Sequence, residues 1–248
     1  MFKKILLTLI VLIIVGLTVI YFARNILVKK AVESGGSYAL GVQTDLSSAR
    51  LNIGGGDLRL SHLDIHNPQG FQADNILSVD HSELTVQTGS VLDKQVVVDS
   101  LVIQGVRLNL EQIDAKGNYK VLLDHIKQFS SSSDTQSDRR IKIGLVALRD
   151  IKVSGSLSLL NKEYSKTYSV DNFELRNVGG NTGASTGQII AKVVQAILTR
   201  SLAAGNGVLP PEFGKSVSEL KDQGLKTLES KGKEELNQLG KSLLKGGH

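Results

Sequence analysis

Apolar residues alternate with polar ones along most of this chain, from about Val42 to Val178. Segments such as Leu63-x-Ile65 follow period two, which is typical of strands with one buried face and one hydrated face. Turn-forming residues, including Gly54-Gly55-Gly56 and Asn67-Pro68-Gln69-Gly70, separate these segments. The pattern predicts an α+β fold built on a mainly antiparallel sheet over residues 41–180.

Period two also assigns side chains to the two faces of the predicted sheet. The alternation shifts by one residue at Gly105, and we expect a bulge there that keeps the apolar face continuous. An aliphatic face of this size needs helices, a partner or lipid to cover it, because large exposed apolar patches are unfavourable. The residues predicted to line this face are Leu63, Ile65, Leu101, Ile103, Leu108, Leu110, Ile151, Val153, Phe173 and Leu175.

The start of the chain carries a second strong signal. Residues 5–23 contain no charge, and a helix of that length spans about 28 Å, enough for the hydrocarbon core of a bilayer. A cleaved signal peptide is the alternative, but no small-x-small cleavage site follows the apolar stretch. We therefore predict a tail at residues 1–4 and an uncleaved N-terminal transmembrane helix, a signal anchor, at residues 5–23. Its predicted flanking residues are Lys3, Lys4, Tyr21, Phe22, Arg24, Lys29 and Lys30.

The net charge of +5 comes entirely from the first 30 residues, and the remainder of the chain is neutral. The excess is therefore a juxtamembrane feature and does not indicate nucleic-acid binding, which needs clustered basic residues along a surface. A single early span with so short a tail favours the tail inside the cytoplasm and the bulk of the chain outside it.

Four further segments have distinct compositions. Residues 24–40 are predicted as a juxtamembrane basic helix whose helical part ends at Gly35-Gly36, and residues 129–140 as a polar, disordered insertion. Residues 188–204 have the period of an apolar helix. Residues 212–245 are Lys/Glu-rich and are predicted as an amphipathic helix, so that the chain closes with two C-terminal amphipathic helices.

No catalytic or metal-binding constellation is predicted, and neither is a cofactor. The chain has no cysteine, which excludes disulfides, thiol nucleophiles and thiolate metal sites. Residues 183–187 match the G-x-S-x-G pattern around Ser185, but a nucleophile elbow needs a strand–turn–helix on a parallel sheet, and no strand–helix–strand unit is predicted upstream. His62 and His66 lie about 13 Å apart if they are on one strand, too far to bind one metal ion jointly. We therefore predict a protein that is not an enzyme.

The turn Asn67-Pro68-Gln69-Gly70-Phe71, with an apolar strand before it, resembles the amino-terminal region of the AsmA family of bacterial envelope proteins. The segments Val98–Glu111 and Gly117-Asn118-Tyr119 extend the likeness, which covers about residues 1–180. The motif residues are Asn67, Pro68, Gly70 and Phe71. The resemblance implies a curved, chorein-like sheet in the periplasm, held by an anchor in the bacterial inner membrane. It further implies phospholipid movement and outer-membrane homeostasis as the function, with membrane phospholipid and other envelope proteins as partners.

Two hypotheses therefore stand. In the first, the aliphatic face of the sheet binds phospholipid or helps to move it. In the second, the chain is a non-enzymatic, membrane-tethered scaffold or interaction module, and the helix at 188–204 covers that face. Neither the lipid, the direction of transfer nor the oligomeric state follows from the sequence.

Overall fold

The computed structural model describes residues 25–52, 54–114, 116–131, 140–159 and 162–209. Within these ranges three helices accompany one mixed, mostly antiparallel sheet, so the predicted α+β class is confirmed. None of the helices in these ranges has the length and apolar character that crossing a bilayer requires. Outside the described residues lie the predicted tail 1–4, the anchor 5–23 with Lys3, Lys4, Tyr21, Phe22 and Arg24, most of the insertion 129–140, and the helix 212–245.

The helices are α1 (25–40), α2 (Asn118–Ser131) and α3 (Thr186–Ala204). The strands are β1 (Thr44–Asn52), β2 (Asp57–His66), β3 (Asn75–Val86), β4 (Gln95–Ile113), β5 (Lys116–Gly117), β6 (Arg140–Leu159), β7 (Lys162–Val170) and β8 (Phe173–Val178). A 3-10 turn at Thr88–Ser90 lies between β3 and β4.

The strand order is β1-β2-β3-β4-β6-β7, with β5 paired to β4 and β8 paired to β6. The β4–β6 pair is parallel, while the other pairs are antiparallel. Because α2 lies in the connection between them, β4, α2 and β6 form a strand–helix–strand unit. The expectation of no such unit upstream of Ser185 is therefore wrong. The missed signal is the helical spacing of Tyr119, Leu122, Leu123, Ile126 and Phe129, all of which are buried.

Several strands are longer than the sequence pattern predicts. β4 has 19 residues and β6 has 20, whereas a typical strand has about five or six. The sequence divided each into shorter segments because the inside–outside alternation shifts within it. In β4 the inward positions are Leu101 and Ile103 on one side of the shift, and Val106 and Leu108 on the other.

The shift occurs at one row that crosses five neighbouring strands. We call this row the alternation break, and within it His62, Gly105 and Asp150 have φ angles of 51°, 71° and 50°. Such left-handed backbone inside a strand places two consecutive residues on the polar side. The residue pairs that form the break are Ser47–Ser48, Ser61–His62, Asp80–His81, Gln104–Gly105 and Arg149–Asp150.

Register is unchanged across the alternation break. Val79 pairs with Val106 above it and Ser82 with Ile103 below it, at a constant offset. The prediction of a bulge at Gly105 is therefore wrong. A bulge adds a residue to one strand only, whereas here each neighbouring strand carries the same extra residue. The apolar face is continuous across the break, as the sequence predicts.

The alternation break divides the sheet into two halves. The upper half comprises residues 44–46, 63–66, 75–79, 106–113, 151–159 and 162–170. The lower half comprises residues 49–52, 57–60, 82–86, 95–103, 140–148 and 173–178.

Helix α1 covers the outer edge of β1. The backbone N–H of Leu51 donates to Asn25 Oδ1 at 3.0 Å, and that of Leu46 donates to Glu33 Oε1 at 3.0 Å. The Thr44 N–H donates to the Ser37 hydroxyl at 2.9 Å. These bonds satisfy donors that would otherwise leave β1 an open edge strand.

α1 does not end at Gly35-Gly36 as predicted, since it continues to residue 40, before Gly41 with φ +70°. A Cβ on Gly36 would lie 2.8 Å from Cγ2 of buried Thr44, whereas one on Gly35 would meet nothing within 4 Å. Gly36 is therefore a point of close approach between helix and strand. The residue that follows the C-terminal end of α1 in the left-handed conformation is Gly41, and such residues are usually glycines.

The chain divides into two compact units, Met1–Ala196 and Ile197–His248. The sheet belongs to the first unit. In the second unit the described residues are 197–209, where α3 ends and a turn returns Leu209 N–H to Gly205 O at 2.8 Å.

Candidate functional site: the apolar face of the sheet

The ten residues predicted to line the aliphatic face lie on one side of the sheet. The register joins Leu63 through Val79 and Val106 to Ile151 in one row. A lower row joins Leu101 through Val146 to Leu175. Since rows on both sides of the alternation break have their apolar side chains on the same side, the face runs the length of the sheet.

In the upper half most of the predicted face residues are closed off from solvent. Ile65, Leu108, Leu110, Ile151 and Val153 are each at most 1% exposed, and Ile103, just below the break, is 7% exposed. Side chains with so little accessible surface belong to the hydrophobic core and gain most of their stabilisation from burial. These six predicted residues therefore do not present a surface to an external ligand in this conformation.

Helices α1 and α2 meet beside the upper half. α2 packs on the end of β4, where the Tyr119 hydroxyl donates to Gln112 Oε1 at 3.1 Å. The Tyr38 and Phe129 rings meet edge to face with centroids 5.4 Å apart. The first residues of α3 approach the same place, since a Cβ on Gly187 would collide with the Phe129 ring.

The lower half of the face is only partly covered on strands β1 to β4. Several aliphatic side chains there are half-buried, and we call six of them, on adjacent strands of one face, the lower patch. They occupy neighbouring positions, because Leu51 pairs with Leu58, Leu58 with Leu84, and Leu84 with Leu101. The lower patch comprises Leu51, Leu58, Leu60, Leu84, Val86 and Leu101.

Of the predicted face residues, Leu101 belongs to the lower patch, while Leu63, Phe173 and Leu175 are half-buried elsewhere on the face. The other five members of the patch are absent from the predicted lining residues, although Leu58, Leu60, Leu84 and Val86 follow period two in the sequence. Their alternation places them on the apolar face, but alternation does not distinguish a covered position on that face from an open one.

The turn at Asn67–Phe71 is held by a buried polar network. The carboxylate of Glu111, 5% exposed, accepts hydrogen bonds from Asn67 Nδ2 at 2.7 Å, Gln72 N at 2.7 Å and Ala73 N at 2.8 Å. Three donors on one carboxylate offset much of the cost of burying it.

Asn118 connects this network to the start of α2. Its Oδ1 accepts from the N–H of Glu111 at 2.9 Å and of Tyr119 at 2.7 Å. Its Nδ2 donates to Asn67 Oδ1 at 3.0 Å and to Asn109 O at 2.8 Å. Of the other motif residues, Pro68 is buried, Phe71 is half-buried and Gly70 has φ +94°. The motif therefore joins the β2–β3 turn to the end of β4.

The histidines singled out in the sequence have separate partners on the polar face. His66 Nε2 lies 2.7 Å from Asp45 Oδ2, while the His62 ring meets His81 with centroids 5.8 Å apart. Hydrogen bonds from Gln43 and then from His66 lower the pKa of the Asp45 carboxyl below its usual value. Among the described residues no group of three or more acidic or histidine side chains could hold a metal ion.

Tyr168 lies on the apolar face, opposite Val153 on the neighbouring strand. Burial raises the pKa of its hydroxyl above the usual value of 10.0, because the charged phenolate loses solvation. The apolar environment therefore favours the neutral side chain at ordinary pH.

Ser185 caps helix α3. Its Oγ accepts from Gln188 N–H at 3.3 Å, and its own N–H donates to Gln188 Oε1 at 3.0 Å. This reciprocal pair is a capping box, for which the sequence signal was Ser-x-x-Gln before an apolar helix. The side chain is 6% exposed, so its hydroxyl is occupied inside the fold.

The flanking lysines that the structure describes lie on α1. Lys29 Nζ is 3.7 Å from the carboxylate of Glu33, and Lys30 is exposed. An open depression of about 590 Å³ lies between α1 and α2, lined in part by Tyr38, His125 and Phe129. None of the predicted face residues lines it.

A scan against family models finds no match to the chain, and a search of curated proteins finds no significant match either.

Proposed function

We propose that this chain is a membrane-tethered protein of the bacterial envelope that binds phospholipid acyl chains on the lower patch. The observation that carries the proposal is the half-exposed row Leu51, Leu58, Leu84 and Leu101 on adjacent strands. Aliphatic side chains left partly open on neighbouring strands form a contiguous apolar surface, and such surfaces usually have an apolar partner.

Two further features support the proposal. The patch lies at the end of the sheet where Asn25, two residues after the uncharged stretch 5–23, bonds to Leu51. A surface near a bilayer anchor has lipid as its nearest apolar partner. The likeness of the turn at 67–71 to the AsmA family points to the same class of ligand.

A second candidate function is the scaffold without ligand. The closed upper half favours it, since Ile65, Leu108 and Ile151 are at most 1% exposed and already covered by the chain itself. In that case the lower patch would contact protein only.

Photo-crosslinking in cells distinguishes the two functions. A photoreactive phenylalanine analogue replaces Leu84, in the lower patch, or Glu83, the next residue on the opposite face of β3. We expect labelled phospholipid to crosslink at position 84 and not at position 83. Crosslinks from position 84 to protein alone would favour the scaffold, and equal lipid capture at both positions would contradict a specific site.

A further inference from the structure

The exposed aliphatic side chains of the described residues are not evenly distributed. Six large aliphatic side chains are exposed in the part of the chain that the structure describes: Leu92 (89%), Ile26 (59%), Leu27 (57%), Val121 (46%), Val91 (41%) and Val208 (39%). Single exposed apolar residues are common and need no explanation. Four of the six, Ile26, Leu27, Val91 and Leu92, lie on two segments at the same end of the sheet: the first described turn of α1 and the connection between β3 and β4.

A series of direct contacts joins these two segments. Asn25 Oδ1 accepts from Leu51 N–H near the end of β1, and in the turn that follows β1 the Gly56 carbonyl accepts from Val86 N–H at 2.8 Å. A Cβ on Gly56 would lie 3.0 Å from the Thr88 side chain. The β3–β4 connection is therefore adjacent to the turn that α1 flanks.

The connection holds a defined conformation while presenting its apolar residues. Ser90, 8% exposed, donates its hydroxyl to Gln87 O at 2.7 Å and accepts from Val97 N–H at 2.9 Å. The Asp93 N–H returns to Ser90 O at 3.0 Å. The hydrogen bonds around Ser90 fix the backbone of the connection with the Val91 and Leu92 side chains facing solvent. Their exposure therefore follows from the folded conformation of the connection.

The position of this turn relative to the anchor suggests its partner. Ala23, the last residue of the uncharged stretch, can lie at most about 7 Å from Asn25 along the chain. A bilayer that holds residues 5–23 therefore reaches this end of the sheet. Leu92 is flanked by Asp93 and Lys94, whose charges cancel, so contact there would depend on apolar insertion and not on anionic lipid.

We infer that the β3–β4 turn is a second membrane contact, in which Val91 and Leu92 insert into the interfacial region of the bilayer that holds the anchor. This inference rests on the membrane tether of the proposed function and deepens it. Two attachment points, one at α1 and one at the turn, would orient the sheet relative to the membrane, whereas a single helix leaves it free to rotate. The lower patch would then lie close to the lipid surface.

The absence of cysteine allows a direct test. Leu92→Cys and, as the control, Val121→Cys are labelled with an environment-sensitive fluorophore in the full chain. Val121 is 46% exposed on α2, away from this turn. The labelled chains are reconstituted into phosphatidylcholine vesicles with or without nitroxide-bearing lipid, and flotation with the vesicles is measured independently of the label.

We expect the chain to float, with fluorescence lost to the nitroxide at position 92 and retained at position 121. Flotation without quenching at position 92 overturns the inference and leaves the tether intact. Protection of position 92 from an aqueous quencher without quenching by the nitroxide lipid also overturns the inference, because the label then contacts protein. Quenching at both positions would also overturn it, and failure to float would overturn the tether together with this inference.

Discussion

At the scale of single residues, the buried Glu111 carboxylate accepts three of the hydrogen bonds in the polar network that holds the turn at 67–71. Glu111→Gln replaces one acceptor oxygen with a donor group that would face N–H groups. We expect the free energy of unfolding to fall by about 1–3 kcal/mol, measured by urea unfolding followed with circular dichroism. Glu83→Gln is the matched control, because its exposed ion pair with Arg59, 3.0 Å long, should contribute less than about 1 kcal/mol. Equal losses in the two variants would contradict the assigned role.

Tyr168 makes a pH-dependent prediction at the same scale. Its folded pKa is raised above 10.0 by burial, so above that pH the unfolded chain releases a proton that the folded chain retains. Stability is then unaffected by this group below pH 10 and falls as pH rises above it, by less than about 1.4 kcal/mol per pH unit because the ring is half-exposed.

The measurement is the free energy of unfolding from roughly one pH unit below the ordinary tyrosine pKa to about 1.5 units above it. Tyr168→Phe should flatten the decline, whereas Tyr164→Phe, four residues earlier on the same face of β7 and 39% exposed, should change it less. An unchanged slope in Tyr168→Phe would show that other groups cause the decline.

At the scale of elements, two adjacent glycines of α1 have opposite environments. Gly35→Ala adds a methyl group in open space and reduces the backbone entropy of the unfolded chain. It should therefore raise the free energy of unfolding by about 0.5–1 kcal/mol. Gly36→Ala should lower it, because its methyl group would press on Thr44 between α1 and β1. Unfolding curves of the two variants provide the measurement. A gain in stability from both would mean that α1 does not pack closely on β1.

The lengths of the strands also depend on contacts that the sequence pattern does not record. Sequence periodicity located most apolar segments of β2, β3, β4 and β6, but it ended them at the alternation break. A shift in parity usually marks the end of a strand, since a single strand cannot change faces without an irregular residue. Left-handed backbone at His62, Gly105 and Asp150 absorbs the shift instead, and the coincidence of these residues in one row is visible only when the strands are paired.

At the scale of the whole molecule, the uncharged stretch and the four-residue tail predict which side of the membrane the chain occupies. An alkaline phosphatase fused after His248 should be active, because that enzyme folds only outside the cytoplasm, where its disulfides form. A β-galactosidase fusion at the same position is the control and should be inactive. The reverse pattern would contradict the predicted orientation.

Local periodicity determined much of this protein. Alternation over residues 42–178 specified a sheet with one apolar face, and the spacing at 188–204 specified the helix that the structure shows as α3 (Thr186–Ala204). Both follow from neighbours in the chain, where side-chain direction repeats every two residues in a strand and every 3.6 in a helix.

Only the tertiary structure decided the parallel pairing of β4 with β6, the continuity of strands through the alternation break, and the division of the face into closed and open halves. Leu108 and Leu84 follow the same alternation, yet Leu108 is 1% exposed and Leu84 is half-buried. The difference depends on which segments pack over each side chain, and those segments are distant in the chain. Alternation records the face on which a side chain lies, whereas burial depends on what covers that face.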